Sequence, residues 1–212
     1  QSIVIGGITG SGKTEFQKYL LRKIPSNERI IIIDNVLELD QIRNEDGKDV
    51  NSWQIDDRNE NSTIQTLVRN ALRSNPDWLI VAESRGKEMA EVLNAAMTGH
   101  PVITTLHALD LKSIPNRLTR MVMMGDKKSD YRDVLNDINA HFPFYIYLNK
   151  KKEKDGSINR FIQSVGVMED GKIVEIYNFN EEKYSKIPLK VLKTLNSEHK
   201  IFYQTFGDIS NE

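Results

Sequence analysis

Eight residues, Gly7-Ile8-Thr9-Gly10-Ser11-Gly12-Lys13-Thr14, restrict the fold of this chain more than any other stretch. They fit G-x-x-x-x-G-K-[ST], the phosphate-binding loop known as Walker A. Such a loop works only between a strand and a helix, and both flanks are present. Ser2-Ile3-Val4-Ile5 is a short apolar, β-branched run, and Glu15 to Leu21 places Phe16, Tyr19 and Leu20 at helical spacing. Glycines let backbone N–H groups curl around a phosphate, and a helix starting near Lys13 turns its positive dipole end toward the same anion. Lys13 is expected to reach the β- and γ-phosphates, and the Thr14 hydroxyl to ligate Mg²⁺. The expected nucleotide contacts are Gly7, Thr9, Gly10, Ser11, Gly12, Lys13, Thr14 and Glu15.

Further strands follow from apolar runs bounded by turn signals. Arg29 to Ile33 and Trp78 to Ala82 read as strands buried on both faces, Val102 to Leu106 as another, and Trp53 to Ile55 as a shorter one. Between them the periodicity predicts helices over Ile64–Leu72, Lys87–Thr98, Asn116–Met124 and Tyr131–Asn139. Ser62 and Gln65 form a capping box for the first of these, and Gly99 is the expected C-terminal cap of the second. Asp40 to Asp49 is charged and reads as a surface loop. After Pro143 the pattern becomes Phe144–Leu148, Asn159–Val167 and Ile173–Phe179, with turns at Asp155-Gly156 and Asp170-Gly171, an antiparallel meander. One more helix is expected over Pro188–Leu195. Lys150-Lys151-Lys152 could serve anionic lipid or nucleic acid, but beside a hairpin turn the favoured reading is a solvated strand end.

Length suits one α/β domain: 212 residues bury a full core but leave no room for a second domain of ordinary size. The expected division is residues 1–180 as the nucleotide domain and 181–212 as an extension packed on it. With 29 basic and 30 acidic residues the net charge is −1, so no global field draws the chain to nucleic acid, and no direct sequence-specific nucleic-acid contact is expected. The absence of cysteine removes disulfides, thiol catalysis and Cys-based zinc sites. No apolar stretch approaches the ~20 residues of a membrane-spanning helix. The chain starts with Gln directly on the strand that feeds the phosphate loop, which suggests a piece of a longer protein.

Strands alternating with helices predict a mostly parallel sheet, whose ligands bind beyond the carboxyl ends of the strands. Those ends are Gly7–Thr14, Asp34–Glu38, Glu83–Arg85 and Thr104–His107, so every cluster of chemistry falls on one edge. Asp77 starts its strand and Glu83 follows its end, about 20 Å away, so only Glu83 reaches the phosphate loop. Glu83 is expected to hold Mg²⁺ through a bound water; the alternative is a carboxylate that only caps or pairs with Arg85. Glu38 is the general-base candidate for the attacking water, against an ordinary surface glutamate. His107 is either a γ-phosphate sensor or a structural histidine, and His100 is read as structural. Arg58 is a candidate arginine finger, in cis or in a neighbour's site, against a solvated arginine.

Taken together, these residues resemble the secretion ATPases of type II and type IV secretion and type IV pilus machines. Gly7–Thr14 matches their Walker A. Ile32-Ile33-Asp34-Asn35-Val36-Leu37-Glu38-Leu39 is similar to their acidic box, with Glu38 at the catalytic glutamate. Asn75-Pro76-Asp77 through Val81-Ala82-Glu83-Ser84-Arg85-Gly86 resembles the atypical Walker B, and Thr98-Gly99-His100 through Thr104-Thr105-Leu106-His107-Ala108 the His box. Asp57-Arg58 and Arg117-Leu118-Thr119-Arg120-Met121-Val122 look similar to the conjugation, type IV secretion and tight-adherence branch, and the tetra-cysteine insert of other branches is absent.

The resemblance spans about residues 2 to 179. It implies a RecA-like fold, ATP and Mg²⁺ as ligands, a homo-hexamer in the full-length protein, and docking on a membrane-embedded machine from its cytoplasmic face. Two features depart from the family: Asp34-Asn35 stands where Glu-Asp is usual, and Gly86-Lys87 where Gly-Gly is common. A nucleic-acid motor and a nucleotide-gated scaffold with negligible turnover are the alternative functions.

Overall fold

A computed structural model describes residues 1–44, 47–126, 128–181 and 183–185. Among the described residues nine strands form one sheet: β1 (Ile3–Gly7), β2 (Arg29–Asp34), β3 (Asp49–Gln54), β4 (Trp78–Val81), β5 (Val102–His107), β6 (Phe144–Lys152), β7 (Ile158–Glu169), β8 (Lys172–Asn178) and β9 (Lys183–Tyr184). Their order is β3-β2-β4-β5-β1-β6-β7-β8-β9. The six strands from β3 to β6 are mutually parallel, and β7, β8 and β9 add antiparallel pairs. The expected mostly parallel sheet with antiparallel strands toward the C-terminus is thus the architecture found. β6 opens the meander yet pairs parallel to β1, the return from α5 being long enough for a crossover.

Alternation along the central strands sorts side chains to two cores. Ile31 and Ile33 of β2 join Leu79, Val81 and Val102 beneath α2 (Ile64–Leu72), α3 (Met89–Met97), α4 (Ile114–Gly125) and α5 (Tyr131–His141). Ile30 and Ile32 join Ile5, Ile80 and Ile103 on the other face, beneath α1 (Lys13–Lys23) and a 3₁₀ segment over Glu38–Asn44. Both faces of the parallel strands are covered, as continuous apolar runs require.

Three local expectations change. The stretch expected as a surface loop from Asp40 begins instead within the 3₁₀ segment, where Leu39 and Ile42 are fully buried and tie it to the core. α2 is capped by Thr63, whose hydroxyl accepts the Thr66 N–H at 3.3 Å, because Ser62 closes a preceding 3₁₀ turn. The strand expected at Trp53–Ile55 runs over Asp49–Gln54, zipped to β2 along its length. The helix expected at Pro188–Leu195 lies outside the described residues.

Candidate active site

The phosphate loop leaves β1 at Gly7 and enters α1 at Lys13. Gly10 (φ +74°) and Gly12 (φ +90°) sit in the left-handed region that a Cβ penalises, and Gly12 is the N-cap residue. Ser11 is buried, and its Oγ has no hydrogen-bond partner among the described residues. An orphaned hydroxyl beneath a curled loop fits a site completed by an anionic ligand.

Lys13 is the centre of the polar network. Its ammonium donates to Gly7 O at 3.1 Å, Ile8 O at 3.2 Å and His107 Nδ1 at 3.4 Å. Because an ammonium has only donors, Nδ1 must accept, so Nε2 carries the imidazole proton and donates to Glu83 Oε1 at 3.1 Å. Glu83 Oε2 in turn accepts from Arg85 Nη2 at 2.7 Å. Desolvation pushes the Lys13 pKa below the ordinary lysine value, with the negative charge of Glu83 opposing that shift. The bonds to Glu83 raise the Arg85 pKa, keeping its guanidinium charged.

Backbone and hydroxyl bonds place Glu83. Beyond β4, Ala82 N–H donates to Ile33 O at 3.0 Å and Ser84 N–H to Thr105 O at 2.8 Å, so the exit of β4 is pinned between β2 and β5. Thr105 Oγ1 donates to Ala82 O at 2.7 Å. Buried Glu88 then caps the turn, accepting from the Gly86 N–H at 2.7 Å and from the Arg85 N–H. Asp77, at the opposite end of the strand, accepts the Arg29 N–H at 2.7 Å and stays far from the loop.

Asp34 ends β2 and is 5% exposed. Its carboxylate accepts the Val36 and Leu39 N–H groups, each at 3.4 Å, which folds the chain around Leu37 (φ +53°) and sets Glu38 at the start of the 3₁₀ segment. Glu38 is exposed and lines the cleft.

One cleft of about 1090 Å³ collects these groups: Gly10 to Glu15 from the loop and α1, Asp34 and Glu38 from the β2 exit, and Glu83 and His107 from β4 and β5. Thr9 lines an adjoining groove with Arg117 and Arg120, and Gly7 is buried beneath the loop. Arg58 is not in the cleft; its side chain is 92% exposed and pairs with Asp56 at 3.0 Å. His100 bonds Thr98 Oγ1 at 3.1 Å at the start of β5, a local contact as expected.

Sequence reasoning missed the far wall. Arg160 of β7 lines the cleft and donates from Nε to Gly10 O at 2.9 Å. Lys150, read as part of a solvated strand end, instead has its ammonium 3.0 Å from the place a Gly10 Cβ would occupy. The signal was available: counting outward from the Asp155-Gly156 turn pairs Lys150 with Arg160.

The type II/IV secretion system protein family matches residues 1–141. The chain belongs to this family. An uncharacterised protein of Bacillus anthracis is 32% identical over 187 residues, covering 86% of this chain and 42% of that protein. The type IV secretion system protein VirB11 of Brucella suis is 37% identical over 126 residues, covering 58% of this chain and 35% of VirB11. A crystal structure of that VirB11 ATPase in complex with sulphate matches with a TM-score of 0.69 and 29% identity, over 79% of this chain and 49% of that one. The Legionella pneumophila ATPase DotB matches with a TM-score of 0.63 and 25% identity, over 79% and 45%. This chain therefore spans less than half the length of each relative. The fold is that of the RecA-like secretion ATPases, and the likenesses place the chain with the type IV secretion branch.

Proposed function

We propose that this chain is the nucleotide-hydrolysing domain of a secretion or pilus-assembly ATPase, residues 1–180 forming the domain; the expected extension over 181–212 lies almost wholly outside the described residues. One observation supports this reading above the rest: four strand ends converge on a single cleft lined by Lys13 of the phosphate loop together with Glu38, Glu83 and His107. All three donors of Lys13 are committed to two loop carbonyls and His107. The β- and γ-phosphates of ATP take over these bonds, which relieves the desolvation of a buried lysine. The Thr14 hydroxyl and, through water, Glu83 would hold Mg²⁺, which would supply positive charge to neutralise the triphosphate. Among the described residues no cluster of acidic, His or Cys side chains forms a metal cage, and a site of this kind depends on phosphate oxygens and waters for its remaining ligands.

Glu38 orients and deprotonates the attacking water; among the described residues it has no ion pair that would occupy its carboxylate. His107 links the γ-phosphate end of the cleft to Glu83. Arg58, displaced from its own cleft, acts in the site of a neighbouring subunit in a homo-hexamer of the full-length protein. No helix of the described residues is long and apolar enough to cross a membrane, and the proposed station is the cytoplasmic face, docked on a membrane-embedded machine.

The test is Glu38→Gln. Turnover of ATP should fall by at least about a hundredfold, with ATP affinity unchanged. Undiminished hydrolysis sinks the assignment. Stimulation by DNA instead supports a nucleic-acid motor, and tight binding without turnover in the unsubstituted protein supports a scaffold.

A further inference from the structure

β6 runs beside β1 in parallel, Gly7 opposite Leu148, but β6 continues to Lys152 where β1 gives way to the phosphate loop. The β6–β7 hairpin therefore stands beside the loop as a wall. Its register sets Lys150 directly opposite Arg160. Like charges at directly opposed positions destabilise an antiparallel pair. Neither side chain has a carboxylate partner among the described residues to offset the repulsion between them. A rule broken at one place without local compensation points to a ligand that supplies the compensation.

The missing compensation is negative charge beside Gly10. Arg160 spends one of its five N–H donors on Gly10 O. That bond fixes the guanidinium against the loop while its four Nη–H donors have no protein partner among the described residues, on a side chain that lines the cleft. Lys150 adds a second cation at the same glycine.

We propose that Arg160, with Lys150 behind it, is a second phosphate-binding element of the nucleotide cleft, taking a non-bridging oxygen of the α- or β-phosphate opposite Lys13. This rests on the triphosphate reading of the cleft. It makes the C-terminal hairpin part of the nucleotide site, so that the parallel core alone binds nucleotide less tightly.

The experiment is ADP affinity by calorimetry or displacement of a fluorescent analogue, at low and high salt, for the unsubstituted protein and Arg160→Gln, Arg160→Lys, Lys150→Ala and Lys13→Ala. A charge-assisted contact at an exposed site predicts an about tenfold loss in Arg160→Gln, recovered in part by Arg160→Lys, and a weaker salt dependence than the unsubstituted protein. Lys150→Ala should lose about threefold at low salt and nothing at high salt. Arg160→Gln retains a donor for Gly10 O, so full affinity in that variant assigns the residue to loop positioning and overturns the phosphate contact. If Lys13→Ala loses ADP while Arg160→Gln and Arg160→Lys bind as the unsubstituted protein does, the proposal falls and the cleft reading stands. If the unsubstituted protein binds no ADP, the cleft reading falls and takes the proposal with it. Thermal unfolding of each variant separates these outcomes from misfolding.

Discussion

Replacing Glu83 by Gln removes a negative charge from the Lys13–His107–Glu83 chain while keeping its shape. His107 still donates to the amide oxygen, so the imidazole bridge survives, while the amide NH2 turned toward Arg85 cannot accept and that outer bond is lost. The two ionic ends are bridged by one imidazole, with contacts of 3.4 and 3.1 Å, which sets their separation at no more than about 9 Å. At that distance, effective dielectrics of 20 to 80 give about 0.5 to 2 kcal/mol of attraction, which holds the Lys13 titration up against its burial. Burial already holds the Lys13 pKa down, and Glu83 is what resists it. The sign follows: as pH rises through the Lys13 pKa the ammonium is lost, and in Glu83→Gln that loss begins at lower pH. The assay is ADP affinity from about pH 7.5 to 10.5 in EDTA, so that no metal role of Glu83 enters. The midpoint of the alkaline fall should move down, while the plateau at lower pH holds or improves because the carboxylate no longer repels phosphate. A Lys13→Arg protein should lose the alkaline fall altogether. An unmoved midpoint, or an equal shift in the Lys13→Arg background, refutes the reasoning.

Tyr145 is fully buried on β6 with a hydroxyl that finds no partner among the described residues, so Tyr145→Phe should stabilise the fold by about 1 kcal/mol, read as a raised denaturation midpoint with unchanged slope. Gly7→Ala places a methyl 2.6 Å from Leu148 O and 2.5 Å from Ser11 Oγ; it should cost about 1–3 kcal/mol in chemical denaturation and weaken ADP binding by prising the loop from β6. Glu88→Ala strips the acceptor from the Arg85 and Gly86 N–H groups. It should cost about 1–2 kcal/mol, with ADP affinity in EDTA less affected than ATP turnover, since the turn that carries Glu83 loosens while the loop does not.

The parallel core was legible because the strands buried on both faces cannot alternate: Arg29–Ile33 and Trp78–Ala82 carry continuous apolar runs that few other structures explain. Once parallel, their carboxyl ends had to share an edge, and Glu83 rather than Asp77 had to meet the loop; the geometry agrees. The family follows from the same boxes. Less legible were features decided by tertiary packing. The stretch from Asp40 looked like a charged loop because, among the described residues, Leu39 and Ile42 alone anchor its start, at a spacing too short to show a period. The capping of α2 slid by one residue because Ser62 and Thr63 both carry the right hydroxyl. Arg160 lies 150 residues from the glycine it touches, a distance no local pattern spans. Arg58 shows the converse: a residue singled out by likeness that packs against nothing in its own cleft.

The most direct test of a triphosphate site at this sheet edge is a calorimetric titration of ATP with Mg²⁺ into the protein and into Lys13→Ala. One site per chain is predicted, with a Kd tighter than about 1 mM, and an affinity lower by at least about tenfold in Lys13→Ala. No binding by the unsubstituted protein, or equal affinity in the two, would contradict the account.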